Sequence, residues 1–127
     1  MSNIKGGSKV WYVADGWMPL KNETKDASYE GHEAIMILNS SNRDAEVKVD
    51  IYFEGKEPIE NIKLVVPPKR VKCFRMDHPD EIGGLEIDRL YQYALRFRSN
   101  IDVVIQYGRM DVTQPNLAYI GTIAYSE

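Results

Sequence analysis

The sequence lacks the features of secreted and membrane proteins. It contains one cysteine among 127 residues, so an internal disulfide is excluded. No apolar run approaches the roughly 18 residues that a membrane-spanning helix needs, and residues 1–9 carry no hydrophobic segment, so we expect no signal peptide. We therefore expect a cytoplasmic protein without membrane insertion, folded as one domain over residues 1–127.

The sequence is also poor in motifs that support catalysis or metal binding. Its two histidines, His32 and His78, have no second histidine or cysteine at ligand spacing. The glycine pairs at 6–7 and 83–84 match no phosphate-binding loop. No nucleophile and base form a complete catalytic set. We therefore expect no enzymatic activity, no metal and no cofactor.

The charge balance argues against binding by bulk electrostatics. Sixteen basic and nineteen acidic residues give a net charge of −3, so nucleic acid is a disfavoured partner. The segment KRVKCFR, residues 69–75, nevertheless concentrates basic residues, and Arg96 and Arg98 follow later. A nucleic-acid-contacting regulator that uses this segment is the alternative function. A solvated strand face explains the same pattern.

Period-two alternation is the main structural signal. Val47, Val49, Ile51 and Phe53 alternate with polar or half-polar residues, which predicts a strand over 46–55 with one buried face. Similar reasoning predicts strands at 10–14, 33–39, 62–66, 91–99, 103–107 and 117–125. The runs at 10–14 and 33–39 are continuously apolar, so we expect them to be covered on both faces.

Turn signals separate these runs, among them Asp15-Gly16, Pro67-Pro68 and Ser99-Asn100. Short strands with almost no helical pattern predict an all-β, single-domain β-sandwich of jelly-roll type. Residues 19–31 and 76–89 are predicted to be loops. Cys73 is predicted to be a small buried residue of a strand, because free cysteine is usually buried.

The run VVIQYGRMD, residues 103–111, moves from core residues to polar ones. Strand parity places Arg109 and Asp111 on the face of Tyr107, and Gln106 on the opposite face. Parity also separates His32 from Glu33, so these two cannot act as a dyad. An arginine beside an aspartate builds a buried structural network or clamps a polar ligand. The sequence leaves both interpretations open.

Several segments together resemble the small soluble sensory rhodopsin transducer family. They occur in the family's order and spacing: VWYVADGWMP (10–19), HEAIMILN (32–39), AEVKVDIYFEGKEP (45–58), LVVPPKR (64–70), VVIQYGRMDVTQ (103–114) and IAY (123–125). The resemblance covers nearly the whole chain. The chain departs from the family pattern at Cys73 and Tyr107, where relatives tend to have histidine.

This resemblance implies a jelly-roll sandwich assembled as a homotetramer. It implies a cytoplasmic signalling module without enzymatic output, whose protein partner is a sensory rhodopsin where the organism has one. It also implies a small polar ligand, sugar-like or anionic. The candidate ligand-binding residues, carried over by position, are Trp11, Asp15, His32, Glu33, Asn39, Arg70, Gln106, Arg109, Asp111 and Gln114.

Overall fold

A computed structural model describes residues 5–21, 30–112 and 118–127. Its strands are β1 (Ser8–Trp17), β2 (His32–Asn39), β3 (Ala45–Phe53), β4 (Ile59–Val66), β5 (Arg70–Arg75), β6 (Gln92–Asp111), β7 (Ala118–Ile123) and β8 (Tyr125–Ser126). One short 3-10 helix, Pro79–Glu81, precedes β6. No helix in the described ranges is long and apolar enough to span a membrane.

The long strand β6 organises the fold because it belongs to two antiparallel layers. Its first half lies between β1 and β3, which gives the layer β4-β3-β6-β1-β8. Its second half lies between β2 and β7, and β5 extends this second layer from β2. The two layers are therefore joined through the backbone of one 20-residue strand.

The inner faces of the two layers form a single apolar core. Val49, Ile51 and Phe97 of the first layer and Ile35 and Phe74 of the second line one small internal void. The alternation predicted for β3 is present, since Val47, Val49 and Ile51 are buried. The predicted all-β sandwich is confirmed.

Two predicted turns lie inside strands. Ser99 pairs with Val47, and Val103 pairs with Ser8, so β6 continues through Ser99-Asn100. The pairing with β1 shifts register between Val10 and Ser8, so Ser99-Asn100 lies at a bulge in a continuous strand and not at a turn. Within β1, the register shifts between Val13 and Gly16, so the predicted Asp15-Gly16 turn is a bulge in a longer strand.

The predicted coverage of both faces of β2 is wrong within this chain. Ile35 and Ile37 point into the core, but Leu38 is 42% exposed and Met36 only half-buried. The predicted strand over 117–125 is divided at Ala124, which separates β7 from β8. Most of the loop predicted at 19–31 lies outside the described residues.

The prediction that Cys73 is buried is also wrong, although Cys73 does lie in a strand. In β5 the inward-facing residue is Phe74, so its neighbour Cys73 points to the outer side of the layer and is exposed. Partial desolvation, together with the charge of Glu81, raises the pKa of the Cys73 thiol. The neighbouring Arg75 opposes this change without cancelling it.

Candidate functional site

A fully buried carboxylate lies where β2 begins. Glu33 is the second residue of β2, and its side chain points inward with no solvent exposure. It stands directly opposite Arg109 in the antiparallel pairing of β2 with β6. His32 points to the other side, as parity predicts, and its ring Nδ1 lies 2.7 Å from the carbonyl oxygen of Glu30.

Three donors hold the Glu33 carboxylate. The Tyr93 hydroxyl donates to Oε1 at 2.5 Å, and the Tyr107 hydroxyl donates to Oε2. The backbone N–H of Trp17, at the end of β1, also donates to Oε2 at 2.8 Å. Side chains or backbone of β1, β2 and both halves of β6 therefore meet at one carboxylate.

Arg109 covers this carboxylate and links it to the surface. Its Nε donates to the Tyr107 hydroxyl at 3.0 Å and lies 3.6 Å from Glu33 Oε2. Its Nη2 donates to the carbonyl oxygen of Asp15 at 3.0 Å and lies 3.6 Å from the exposed carboxylate of Asp15. The guanidinium also lies over the Trp17 ring, 5.6 Å from its centroid. These six residues (Asp15, Trp17, Glu33, Tyr93, Tyr107 and Arg109) are called the Glu33 cluster below.

Burial dominates the electrostatics of the Glu33 cluster. Burial raises the pKa of Glu33 above its ordinary value of 4.5, and the bonds from Tyr93 and Trp17 and the charge of Arg109 reverse only part of this increase. Burial and the nearby Glu33 raise the pKa of Tyr93 well above its ordinary value. The Arg109 guanidinium lies between this buried carboxylate and the exposed rim formed by Asp15. The described residues contain no group of three side chains arranged to hold a metal ion.

Other candidate residues lie at the opposite end of β2. Asn39 is fully buried, and its amide donates to the carbonyl oxygens of Arg43 and Val66 at 2.7 and 3.0 Å. Arg70 pairs with Asn39 across β2 and β5, and its exposed guanidinium donates to the backbone of Lys69. Since Asn39 is six residues after Glu33 along β2, at a rise of about 3.3 Å each, this pair lies roughly 20 Å from Glu33.

The remaining candidates are dispersed. Trp11 is buried in the core, where its indole N–H donates to the carbonyl oxygens of Ser8 and Val103. Gln106 is exposed on the outer face of β6, and Asp111 is half-buried at its end. Gln114 lies outside the described residues. Of the ten candidates, the structure thus brings together Asp15, Glu33 and Arg109.

Sequence reasoning missed the two tyrosines that complete the cluster. Tyr93 and Tyr107 occupy the same inward-facing positions of β6 as the core residues Leu95 and Ile105, so their pattern is that of buried aromatics. The signal that could have identified them is the phenolic hydroxyl, which needs a partner when it is buried. That partner, Glu33, is distant in sequence, and only the two-layer fold brings it near.

A second buried carboxylate belongs to the outer side of the first layer. Asp50 accepts hydrogen bonds from Arg96 Nε at 3.0 Å, from Arg98 Nη2 at 2.9 Å and from the backbone N–H of Asn61 at 2.9 Å. Burial alone would raise the pKa of Asp50, but these bonds outweigh it and lower the pKa below its ordinary value of 3.8. We call these four residues the Asp50 cluster.

The basic residues of the alternative hypothesis are partly neutralised. Arg96 and Arg98 bind Asp50. Arg75 binds both carboxylate oxygens of Asp77 at 2.7 Å. Lys69, Arg70 and Lys72 remain exposed. Because three of the six basic groups already have carboxylate partners, the net positive field available to a phosphate backbone is small.

Comparisons with known proteins agree with this architecture. The chain is similar to the Thermotoga maritima protein 1070, with 26% sequence identity, a TM-score of 0.83, and coverage of 95% of this chain and 96% of that one. It is similar to the Anabaena sensory rhodopsin transducer, with 30% identity, a TM-score of 0.70, and coverage of 82% and 89%. Among curated sequences no significant match was found. The sequence profile described as Anabaena sensory rhodopsin transducer matches residues 6–126, so the chain belongs to that family.

Proposed function

We propose that this protein is a non-enzymatic signalling module that acts as a homo-oligomer and receives its input at the Glu33 cluster. The input is a small polar ligand, sugar-like or anionic, or a protein partner. The cluster carries this proposal because Arg109 bridges a buried carboxylate and an exposed rim, where a bound group would compete for its hydrogen bonds.

The link from the cluster to several strands supports a signalling role. Glu33 binds the backbone of β1 at Trp17 and side chains from both halves of β6. A ligand that draws Arg109 away from Glu33 would leave a less neutralised buried carboxylate. Burial of such a charge is costly, so we expect the change to be relieved by protonation of Glu33 or by movement at the end of β1.

A thermal-shift screen tests the ligand proposal. Wild type, Arg109→Ala and Arg98→Ala would be screened against sugars, sugar phosphates and nucleotides. A ligand at about 100 times its dissociation constant stabilises the folded state by roughly 2.7 kcal/mol. We expect a hit to raise the melting temperature of wild type and of Arg98→Ala, and to leave that of Arg109→Ala unchanged. Arg98 is a matched control because it also binds a buried carboxylate, in the Asp50 cluster.

Two results would count against a ligand at the Glu33 cluster. The first is a compound that stabilises all three proteins equally, which would place its site elsewhere. The second is the absence of any hit together with an early-melting Arg109→Ala, which would assign the cluster to folding alone. Protein partners would then be sought by crosslinking.

An uncovered apolar surface supports the oligomer. The outer side of the second layer carries Met36, Leu38, Val71, Cys73, Val104 and Ile123, which we call the outer apolar face. Val71 is 64% exposed and Leu38 42% exposed, and the two face each other across β5 and β2. Gln106 lies between Met36 and Ile123 on this face, and the other residues make it an exposed, mainly apolar patch of the kind that marks protein interfaces. We assign the outer apolar face to a second copy of the chain within a homotetramer.

Leu38→Glu tests this interface. The substitution places a charge within the outer apolar face, at a side chain that is 42% exposed in the single chain. Light scattering after gel filtration should give four chain masses for wild type and a lower mass for the variant. Val65→Glu, an exposed position of β4 in the first layer, is the matched control and should keep the wild-type mass. A monomeric wild type, or a Leu38→Glu tetramer, would contradict the assignment.

The relative from Anabaena is a sensory rhodopsin transducer by name. By analogy we propose that this chain acts in the cytoplasm and passes a signal from a receptor-type protein partner. We expect the cytoplasmic segments of such a receptor to be retained on the immobilised protein. Loss of retention in Arg109→Ala would locate the contact at the Glu33 cluster, and loss in Leu38→Glu would show that the contact needs the tetramer.

A further inference from the structure

A cleft of about 230 Å³ lies between the turn after β3 and the segment that leads into β6. None of its lining residues belongs to the outer apolar face, and neither Asp15 nor Arg109 lines it. Its lining comes from the end of β3 and the following turn, from the approach to β6, and from the first residues of β6. The side chains that matter most are Phe53, Glu54, Lys56, Asp88, Tyr91 and Tyr93.

Three aromatic side chains contribute to the walls of the cleft. Phe53 is half-buried, Tyr93 is buried, and Tyr91 is 68% exposed at the mouth. An exposed aromatic side chain at the edge of a cleft leaves a large apolar surface in water, and such rings often serve as contact surfaces for a ligand.

The inner wall is held rigidly in place. Gly16 lies so close to the Tyr93 ring that an added Cβ would stand 2.7 Å from it. The hydroxyl of Tyr93 is bound to Glu33. Gln92, the neighbouring residue, donates to the carbonyl oxygen of Gly16 and to the carboxylate of Asp15, both at 3.2 Å. The cleft therefore exists before any ligand enters, which reduces the entropic cost of binding.

The chain's own ammonium group shows which charge the cleft accepts. Lys56 Nζ lies 4.3 Å from the centroid of the Phe53 ring and 4.0 Å from Asp88 Oδ2. An ammonium over an aromatic face is attracted by the negative face of the ring. Glu54 and Asp88 together outnumber Lys56, so the lining carries one excess negative charge.

We propose that this cleft binds a small organic cation with an apolar body. Its ammonium group takes the place of Lys56 over the Phe53 ring and beside Asp88, while its body lies between Tyr91 and Tyr93. Lys56 is exposed and on a short turn, so it can swing into solvent when the ligand enters. Anions are repelled by Glu54 and Asp88, and an uncharged sugar gains nothing from the cation-binding position.

The site goes beyond the proposed function of the Glu33 cluster but shares one residue with it. The ring of Tyr93 lines the cleft, and its hydroxyl binds Glu33. The two sites can be distinguished because Arg109 does not line the cleft.

Substitution of Lys56 gives the sharpest test, because Lys56→Met removes the competing ammonium and keeps an apolar chain of similar length. Benzylammonium would be titrated into wild type and variant, followed by protein NMR and calorimetry. We expect millimolar binding to wild type and roughly threefold to tenfold tighter binding to Lys56→Met, the range that an exposed cation–π contact and a released ion pair represent. Lys63→Met, which removes an exposed lysine paired with Glu46 elsewhere, should match wild type.

Further variants and probes locate the site and define the ligand class. Phe53→Leu and Tyr91→Ala should weaken benzylammonium binding at least threefold, while Arg109→Ala should leave it unchanged. Benzoate and methyl glucoside serve as the anionic and uncharged probes. Tighter binding of either probe than of benzylammonium would overturn the proposal. So would weaker binding by Lys56→Met, or no binding of benzylammonium to either protein at tens of millimolar.

Discussion

The Glu33 and Asp50 clusters both contain a carboxylate with no solvent exposure. The pKa of the two carboxylates is nevertheless shifted in opposite directions. Asp50 accepts hydrogen bonds from two guanidinium groups, so its charge is matched and its pKa is lowered. Glu33 accepts them mainly from two neutral hydroxyls and a backbone N–H, while its one arginine stays 3.6 Å away and its pKa is raised.

This difference indicates different roles. A carboxylate held by two arginines at the surface of a sheet stabilises pairing of the strands that carry them. A buried carboxylate that is only partly neutralised costs free energy, and a pKa raised by burial beside a specific charged partner is typical of functional sites. The comparison therefore favours the Glu33 cluster as the responsive part of the molecule and the Asp50 cluster as a structural part.

Glu33→Ala should give the largest loss of stability. The substitution leaves the hydroxyls of Tyr93 and Tyr107 and the 16%-exposed Arg109 without their common acceptor. Removing one member of such a buried set costs about 3–5 kcal/mol of the free energy of unfolding. Urea denaturation measures the change, and a loss below about 1 kcal/mol would show that the cluster is not a coupled unit.

Tyr93→Phe should have the next largest effect. It removes one donor from Glu33 and keeps the ring in its place against Gly16. A hydrogen bond to a charged group contributes roughly 1.5–3 kcal/mol, and we expect a loss near the lower limit because Glu33 can take up a proton instead. A fall in stability that is the same at pH 4 and pH 8 would argue against this compensation.

Asp50→Ala should cost less than Glu33→Ala, about 1–2 kcal/mol. Arg96 and Arg98 are about one-third exposed, so water can solvate them when the carboxylate is lost. Urea denaturation of the two alanine variants under the same conditions tests which of them loses more free energy of unfolding. If Asp50→Ala were the more damaging, the assignment of structural and responsive roles would be reversed.

The pH dependence of stability should have opposite signs at the two clusters. The raised pKa of Glu33 means that its contribution to stability falls as pH rises from about 4.5 to the folded-state pKa, and is constant above it. The lowered pKa of Asp50 means that its contribution is complete above about 3.8 and is lost as pH falls through the folded-state pKa. Each slope is at most about 1.4 kcal/mol per pH unit.

The slopes are measured as the stability difference between wild type and an isosteric variant. Glu33→Gln should become less damaging as pH rises from 4.5, and Asp50→Asn should become more damaging as pH rises toward 3.8. Slopes of the same sign would contradict the electrostatic distinction between the clusters.

The sequence predicted local structure better than long-range structure. The alternation of Val47, Val49 and Ile51 identified β3, because one buried face imposes period two on the residues themselves. The continuity of β6 through Ser99-Asn100 was not predictable, because it depends on partners in β1 and β3. The exposure of Cys73 depends similarly on which face of β5 meets the core.

The candidate site was predictable in part for the same reason. Glu33 and Arg109 were recognised as polar residues in apolar strands, but their direct pairing depends on the register of β2 with β6. Asn39 and Arg70 carry equally polar side chains, and nothing in their local sequence shows that they lie at the far end of β2. The family resemblance assigned all ten candidate residues to one ligand site, but the fold places several of them far apart.

The decisive measurement is the pKa of the Glu33 carboxyl, followed by carbon-13 NMR with Glu33→Gln to assign the signal. We expect the pKa of Glu33 to lie above its ordinary value of 4.5 and that of Asp50, in the same spectra, to lie below 3.8. A Glu33 pKa at or below 4.5 would contradict this expectation, because Arg109 and the two tyrosines would then neutralise Glu33 as fully as two arginines neutralise Asp50.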